Sequence, residues 1–135
     1  MEDGIIELSK YRYQTAVENL ETARNNLRDG KYKQAVNRSY YSIFHAIRAL
    51  TALDGFDSRK HSGIIAYFNR NYVKEGVFDR SASKIIDKAF KIRENADYQD
   101  FYVISKNDTE EQIQNAEEFI DSIQKYLISR WDCEE

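Results

Sequence analysis

The sequence contains no proline, only five glycines and a single cysteine among its 135 residues. Because proline and glycine are the residues that most readily interrupt helices, their scarcity favours long helices. Cys133 has no second cysteine with which to form an internal disulfide, so we expect a reducing, cytoplasmic environment. Apolar runs stay short of the roughly 18 residues of a membrane span, and residues 1–30 lack a signal-peptide pattern, so we expect no membrane segment.

Charges of opposite sign nearly balance, with 20 Lys and Arg against 23 Asp and Glu and a net charge of −3. This balance argues against a broadly basic surface for nucleic acids but allows a local basic cleft. The two histidines and one cysteine do not stand at metal-ligand spacing, and the sequence has no glycine-rich phosphate loop or nucleophile elbow. We therefore predict neither a metal nor another cofactor.

Apolar residues recur with the helical period of 3.6 in four long segments. We predict helices over residues 7–28, 31–53, 79–96 and 108–128. A shorter helix is predicted over residues 61–71, and residues 1–6 are expected to be loose. Asp108 is the predicted N-cap of the last helix, with Glu111 completing a capping box. The expected fold is all-α: an up-and-down four-helix bundle with a short extra helix between helices two and three, in one domain over residues 1–135 with its core at about 8–128.

The second helix has three distinct faces and is predicted to be central. One face is apolar, and a second carries small side chains that allow another helix to approach closely. The apolar face comprises Val36, Tyr40, Ile43, Ile47 and Leu50, and the small face comprises Ala35, Ser42, Ala46 and Ala49. The third face carries Arg38, Tyr41, His45 and Arg48 at spacings of three, four and three. Because the helix is central, this ionisable strip is expected either to be buried or to line a cleft.

Arg93 lies within the apolar arc of the third long helix, with Asp97 one turn further on. An unpaired buried guanidinium costs several kcal/mol, so a partner must exist. In one interpretation Asp97 is that partner and the pair is architectural. In the other, Arg93 points across the bundle toward the strip of Arg38, Tyr41 and His45 and presents its donors to an anion.

Three segments in this order resemble HEPN-domain proteins: AVNRSYYSIFHAIRAL (35–50), KHSGIIAYF (60–68) and RENADYQDF (93–101). The resemblance covers nearly the whole chain, about residues 8–128. It implies a helical bundle that generally forms a homodimer. It also implies a metal-independent RNase in many members, often a toxin paired with a nucleotidyltransferase-fold antitoxin.

The RNase motif of the family is Arg-x(4–6)-His on the third long helix. Arg93 matches its arginine, but no histidine follows His61 in this sequence. Arg38-x(6)-His45 satisfies the spacing on the second helix, which makes Arg38 and His45 the candidate catalytic residues. The candidate anion-binding residues are Arg38, Tyr41, His45, Arg48, Arg93, Asp97 and Tyr98.

Three functions are compatible with these observations. The first is a catalytically weak or inactive HEPN-like homodimer that binds nucleotide or RNA phosphate, or a nucleotidyltransferase-fold partner. The second is a metal-independent RNase toxin in which His45 acts as the general acid–base and an arginine stabilises the phosphate. The third is a purely structural interaction bundle.

Overall fold

The structure, a computed structural model, describes residues 3–133 and contains no strand within that range. Its α-helices are α1 (Asp3–Arg28), α2 (Tyr32–Asp54), α3 (His61–Phe68), α4 (Arg80–Tyr98) and α5 (Lys106–Cys133). A π-helical turn over Asn69–Val73 continues α3. The predicted all-α bundle, with its short helix between the second and third long helices, is confirmed. None of these helices is long and apolar enough to cross a membrane.

Glycines in the left-handed conformation end both α1 and α2. Gly30 has a φ of 75° and Gly55 a φ of 70°. The next N–H in each case reaches back to the helix: Lys31 donates to the Asn26 carbonyl over 2.8 Å, and Phe56 to the Thr51 carbonyl over 3.0 Å. Glycine takes this backbone conformation without steric cost, so both helices stop sharply. The short turn after α1 places α2 antiparallel beside it.

The small face of α2, where close approach of another helix is predicted, lies against α1. Ser42 Oγ donates to the Ala16 carbonyl over 2.8 Å, and Ser9 Oγ donates to the Ala49 carbonyl over 2.7 Å. Such contacts between a side chain and the neighbouring backbone require the two helices to approach closely. The opposite, apolar face belongs to the main core, where Ile47 and Leu50 are fully buried. Burying each of these side chains contributes about 1.5–3 kcal/mol.

Several predicted boundaries are wrong, among them the end of α5, which lies at Cys133 and not at residue 128. α1 already includes residues 3–6 because Ile6, 8% exposed, anchors them to the core, whereas residues 1 and 2 lie outside the described range. α5 begins at Lys106, since Ser105 Oγ accepts the Asp108 N–H over 3.0 Å and starts the helix before the predicted cap. The short α-helix ends at Phe68, where the backbone widens into the π-helical turn.

Candidate functional site

The Arg93 side chain lies inside the bundle at the C-terminal half of α4, and the residue is only 8% exposed. Its Nη1 lies 3.5 Å from Asp97 Oδ2 and donates to the Tyr41 hydroxyl over 3.4 Å. Nη2 lies 3.4 Å from Glu94 Oε1. Nε is buried and has no hydrogen-bond partner among the described residues. Arg93 therefore pairs with Asp97 and also reaches across the bundle to α2.

Aromatic rings provide the closest packing around this guanidinium. Its central carbon lies 4.7 Å from the centroid of Tyr40, 5.6 Å from that of Tyr41 and 5.7 Å from that of Phe90. A desolvated cation over an aromatic ring gains about 1–2 kcal/mol, and a planar guanidinium suits such stacking. Since the polar contacts of Arg93 are all 3.4 Å or longer, the rings hold the side chain at least as firmly as the carboxylates do.

Arg38 on α2 is held by amide side chains. Its Nε and Nη2 donate to Asn37 Oδ1 over 3.0 and 2.6 Å, and its Nη1 donates to Asn19 Oδ1 over 2.9 Å. Asn37 in turn donates to both carboxylate oxygens of Asp97, over 3.3 and 3.1 Å. Neutral amides fix the orientation of the Arg38 guanidinium without cancelling its charge. That charge therefore remains available to attract an anion.

Tyr41 is the centre of this site. Its ring centroid lies 5.0 Å from the Arg38 guanidinium, 6.1 Å from the His45 ring and 5.7 Å from the His61 ring. Because its hydroxyl accepts from Arg93, its own proton is free to be donated. The name Tyr41 cluster is used below for six side chains: Arg38, Tyr40, Tyr41, His45, His61 and Arg93.

His45 is kept neutral by its surroundings. Burial lowers its pKa to about 4, and the positive charges of Arg48, Arg38 and Arg12 add to the effect. Among the described residues, no carboxylate offsets these three arginines at the imidazole. A neutral imidazole can accept a proton or a hydrogen bond, and the lowered pKa also reports a positive potential at this point of the structure.

Arg48 and Arg12 extend the positive region beyond the predicted strip. Arg12 on α1 donates to the Arg48 carbonyl over 3.1 Å, and burial together with the Arg48 charge lowers the pKa of Arg12. Arg48 lies 3.8 Å from Asp57, whose side chain is 68% exposed, so water weakens this compensation. Sequence reasoning assigned Arg12 to the solvent side of the first helix, and the pattern held no signal for its contact with α2.

His61 is the main residue that sequence reasoning missed. The sequence predicts it only as the first residue of the short helix, whereas in the structure it begins α3 and its ring belongs to the Tyr41 cluster. Its Nδ1 lies 2.9 Å from the buried Tyr40 hydroxyl, and its ring stacks on Phe44 with centroids 4.0 Å apart. The available signal was the run of aromatic residues on α2, which offers rings for an imidazole to stack on.

Tyr98 stands apart from the other predicted site residues. Its side chain is 73% exposed and makes no hydrogen bond within residues 3–133. The structure brings together Arg38, Tyr41, His45 and Arg93, with Arg48 and Asp97 at the edges. The functional role of all these residues stays a prediction.

An open cleft of about 510 Å³ adjoins Arg38, and Lys33, Asn37 and Asp97 also line it. This volume and its polar lining suit a small charged group. Among residues 3–133, no three His, Cys, Asp or Glu side chains are arranged to hold a metal ion. The polar groups present are mainly hydrogen-bond donors, which suit an oxyanion.

Comparison with known proteins connects this geometry to a family. The sequence profile of the HEPN domain matches residues 9–126. A UPF0332 protein of Thermotoga maritima is 33% identical over 118 residues, which cover 87% of this chain and 89% of that protein. Two proteins of Methanocaldococcus jannaschii, both provisionally named toxins, are 36% and 31% identical. The first match covers 83% of each chain, and the second covers 85% of this chain and 78% of the relative.

Proposed function

Because the chain belongs to the HEPN domain family, we propose that it is a helical module that binds RNA or nucleotide phosphate at the Tyr41 cluster. The observation that carries this proposal is the environment of Arg38. Its guanidinium is fixed by Asn19 and Asn37, and no carboxylate within residues 3–133 contacts it directly. A phosphate oxygen placed here would meet an oriented, uncancelled positive charge.

The remaining polar groups of the cluster support the same ligand class. The Tyr41 hydroxyl accepts from Arg93 and therefore has its proton to donate. Arg48, with a side chain 28% exposed, carries a charge that a distant and well-solvated Asp57 offsets weakly. Tyrosine rings beside these cations can also stack on bases. A ligand that only accepts hydrogen bonds and carries negative charge fits this set, and a phosphodiester has both properties.

We also propose that two copies of the chain associate and bring their clefts together, as the family resemblance implies. The partner that the resemblance implies is a nucleotidyltransferase-fold protein. The two relatives provisionally named toxins support a toxin-like role for the module. Sedimentation velocity at about tens of micromolar should show a dimer, because a specific interface of standard size is stable at such concentrations. A strict monomer would contradict the proposed dimer. It would not contradict the proposed anion site, which lies within one chain.

Binding is best measured with octauridylate carrying a 5′ fluorescein, by fluorescence anisotropy at low salt. We expect affinity to fall as salt rises, since phosphate contacts release counterions. Arg38→Gln should weaken binding by about tenfold, equivalent to about 1.4 kcal/mol. Arg70→Gln, an exposed arginine on the π-helical turn, is the matched control and should bind like the wild type. Binding that neither salt nor Arg38→Gln alters would contradict the proposal.

Metal-independent RNA cleavage is a second candidate function, and one observation favours it. Two imidazoles, His45 and His61, lie close to Tyr41, and the pKa of each is lowered. A neutral His45 suits abstraction of a 2′-hydroxyl proton, with Arg38 or Arg93 stabilising the charged phosphorus intermediate. Cleavage of octauridylate in EDTA, abolished by His45→Ala, would support this function. Intact RNA after prolonged incubation with the wild type would contradict cleavage and would leave phosphate binding as the proposed function.

A further inference from the structure

The Tyr40 hydroxyl and His61 form a buried contact that the anion site above does not use. Tyr40 is 1% exposed, and its hydroxyl lies 2.9 Å from His61 Nδ1. The imidazole is fixed in orientation as well as position, because it stacks on Phe44 at 4.0 Å and meets the Tyr41 ring edge to face at 5.7 Å. His61 therefore has very little freedom to rotate.

This contact determines which ring nitrogen of His61 carries the proton. Burial raises the pKa of Tyr40, so its hydroxyl keeps its proton. His61 Nδ1 is the hydrogen-bond partner that the hydroxyl has among the described residues. A buried O–H needs an acceptor, so Nδ1 must be the bare nitrogen and accept from Tyr40. The neutral ring then has its proton on Nε2, which makes no hydrogen bond within residues 3–133.

We propose that His61 is a ligand-binding residue of the Tyr41 cluster, a donor fixed as the Nε2–H tautomer by Tyr40 and directed at a phosphate oxygen. The proposal rests on the anion-binding function above and specifies the ligand further. With the Tyr41 hydroxyl and His61 Nε2 both donating, the bound group must accept at least two hydrogen bonds. A phosphodiester does so with two non-bridging oxygens and also carries the negative charge that the neighbouring arginines favour, which a neutral amide or a sugar lacks.

The charges that face His61 explain why a donor of fixed tautomer is useful here. Burial and the positive charges of Arg93 and Arg48 lower its pKa. The ring therefore stays neutral near pH 7, and a neutral imidazole free to change tautomer would donate from Nε2 only part of the time. Tyr40 prevents the change of tautomer, because its hydroxyl bonds to Nδ1 and the proton therefore stays on Nε2.

Long-range ¹H–¹⁵N correlation NMR of the imidazoles tests the tautomer without any ligand. The chain has two histidines, so in the His45→Asn variant all imidazole signals come from His61. We expect the Nε2–H pattern when Tyr40 is present, and a mixture of both tautomers when Tyr40→Phe is added. A wild-type ring protonated on Nδ1, or a tautomer that Tyr40→Phe leaves unchanged, would overturn the proposal.

Binding of fluorescein-labelled octauridylate tests the role of the donor. His61→Ala should weaken binding by about tenfold, and His61→Gln, whose amide N–H can replace Nε2–H, should recover part of the loss. Tyr40→Phe should weaken binding by about twofold if the two tautomers become equally populated, because only one of them is competent. Thermal melting of each variant confirms that it is folded, and Tyr40→Phe tests the inference should His61→Ala fail to fold.

The outcomes separate this inference from the function on which it rests. Binding that Arg38→Gln weakens and that His61→Ala and Tyr40→Phe leave unchanged would overturn the role of His61 alone. Absence of salt-sensitive binding by the wild type would overturn the anion site, and the role of His61 with it. Loss of affinity in His61→Ala, recovered in His61→Gln, would support both.

Discussion

Arg130 and Arg93 each lie beside tyrosine rings near the C-terminal end of a long helix, but their polar contacts differ. Arg130 Nη1 donates to Asp54 Oδ1 over 2.9 Å and to the Tyr72 hydroxyl over 3.1 Å. Arg93 has three polar partners, Tyr41, Glu94 and Asp97, but these contacts measure 3.4–3.5 Å and its Nε has no partner among the described residues. Two polar contacts of Arg130 are therefore short, and all those of Arg93 are long.

The carboxylate at each site shows the same contrast. Asp54 accepts from Arg130 and from the hydroxyls of Tyr67 and Tyr72, and its side chain is 19% exposed. Burial lowers the pKa of Arg130, but its hydrogen bonds to Asp54 and Tyr126 and the charges of Tyr72 and Asp54 together outweigh that effect and raise the pKa overall. Asp97 is 28% exposed at its side chain, and among the described residues it accepts hydrogen bonds of 3.1 and 3.3 Å from Asn37 besides its 3.5 Å contact with Arg93.

These differences separate an architectural ion pair from a site open to a ligand. A closed network of short hydrogen bonds ties the ends of α2 and α5 to the π-helical turn. Both oxygens of the Asp54 carboxylate accept hydrogen bonds in it. In the Tyr41 cluster, long contacts, a donor without a partner and uncancelled charges leave interactions that a ligand can still make. An unsatisfied buried polar atom in a native structure calls for such an explanation.

The largest stability effect should come from Arg130→Met. The substitution preserves much of the side-chain volume but leaves the Asp54 carboxylate partly buried without its cation. We expect unfolding free energy to fall by about 2–3 kcal/mol, somewhat below the full cost of breaking a buried pair because both groups retain some exposure. Urea denaturation followed by circular dichroism measures this loss. Arg28→Met, whose side chain is 71% exposed, is the control and should change stability by less than about 0.5 kcal/mol.

Arg93→Met should cost less stability, about 1–2 kcal/mol. Asp97 keeps its hydrogen bonds from Asn37, Glu94 is 42% exposed and so remains solvated, and the loss is mainly the stacking on Tyr40. Octauridylate binding should nevertheless fall by about tenfold in Arg93→Met and stay unchanged in Arg130→Met. Equal destabilisation by the two substitutions, or equal effects on binding, would remove the distinction between the two sites.

The sequence predicted the fold because the responsible signals are local. The absence of proline and the 3.6-residue apolar period determine where long helices form. The three faces of α2 correctly indicated a central helix whose small side chains let another helix approach closely, and the structure identifies that helix as α1. The boundaries near residues 3 and 106 were missed because they depend on tertiary anchoring by Ile6 and on the Ser105 hydroxyl, which competes with Asp108 as a cap.

The candidate site was predictable only where its members share a helix or interrupt an apolar pattern. Spacings of three and four placed Arg38, Tyr41 and His45 on one face, and Arg93 stood out as a charge in an apolar arc. His61 gave no such signal, since its contact with Tyr40 depends on the path of the loop between α2 and α3. Likewise, the amide contacts of Arg38 depend on how α1 packs against α2.

His45 should make stability depend on pH, and near neutral pH this effect is the smallest of the three. Its folded pKa of about 4 lies below the unfolded value of about 6.5, so the unfolded chain binds more protons between these pH values. Stability from His45 is therefore complete above about pH 6.5 and declines as pH falls toward 4. Urea denaturation across this range should show a steeper loss for the wild type than for His45→Asn.

The difference between those two proteins isolates His45, because carboxylates and His61 titrate in both. Parallel stability curves would contradict the neutral imidazole and the positive potential inferred around it. Octauridylate sharpens the test: a bound phosphate supplies the negative charge that the three arginines lack, so it should raise the pKa of His45. At low pH the wild type should lose more stability than His45→Asn, and saturating ligand should reduce this difference. An anion bound elsewhere on the surface would leave the difference unchanged.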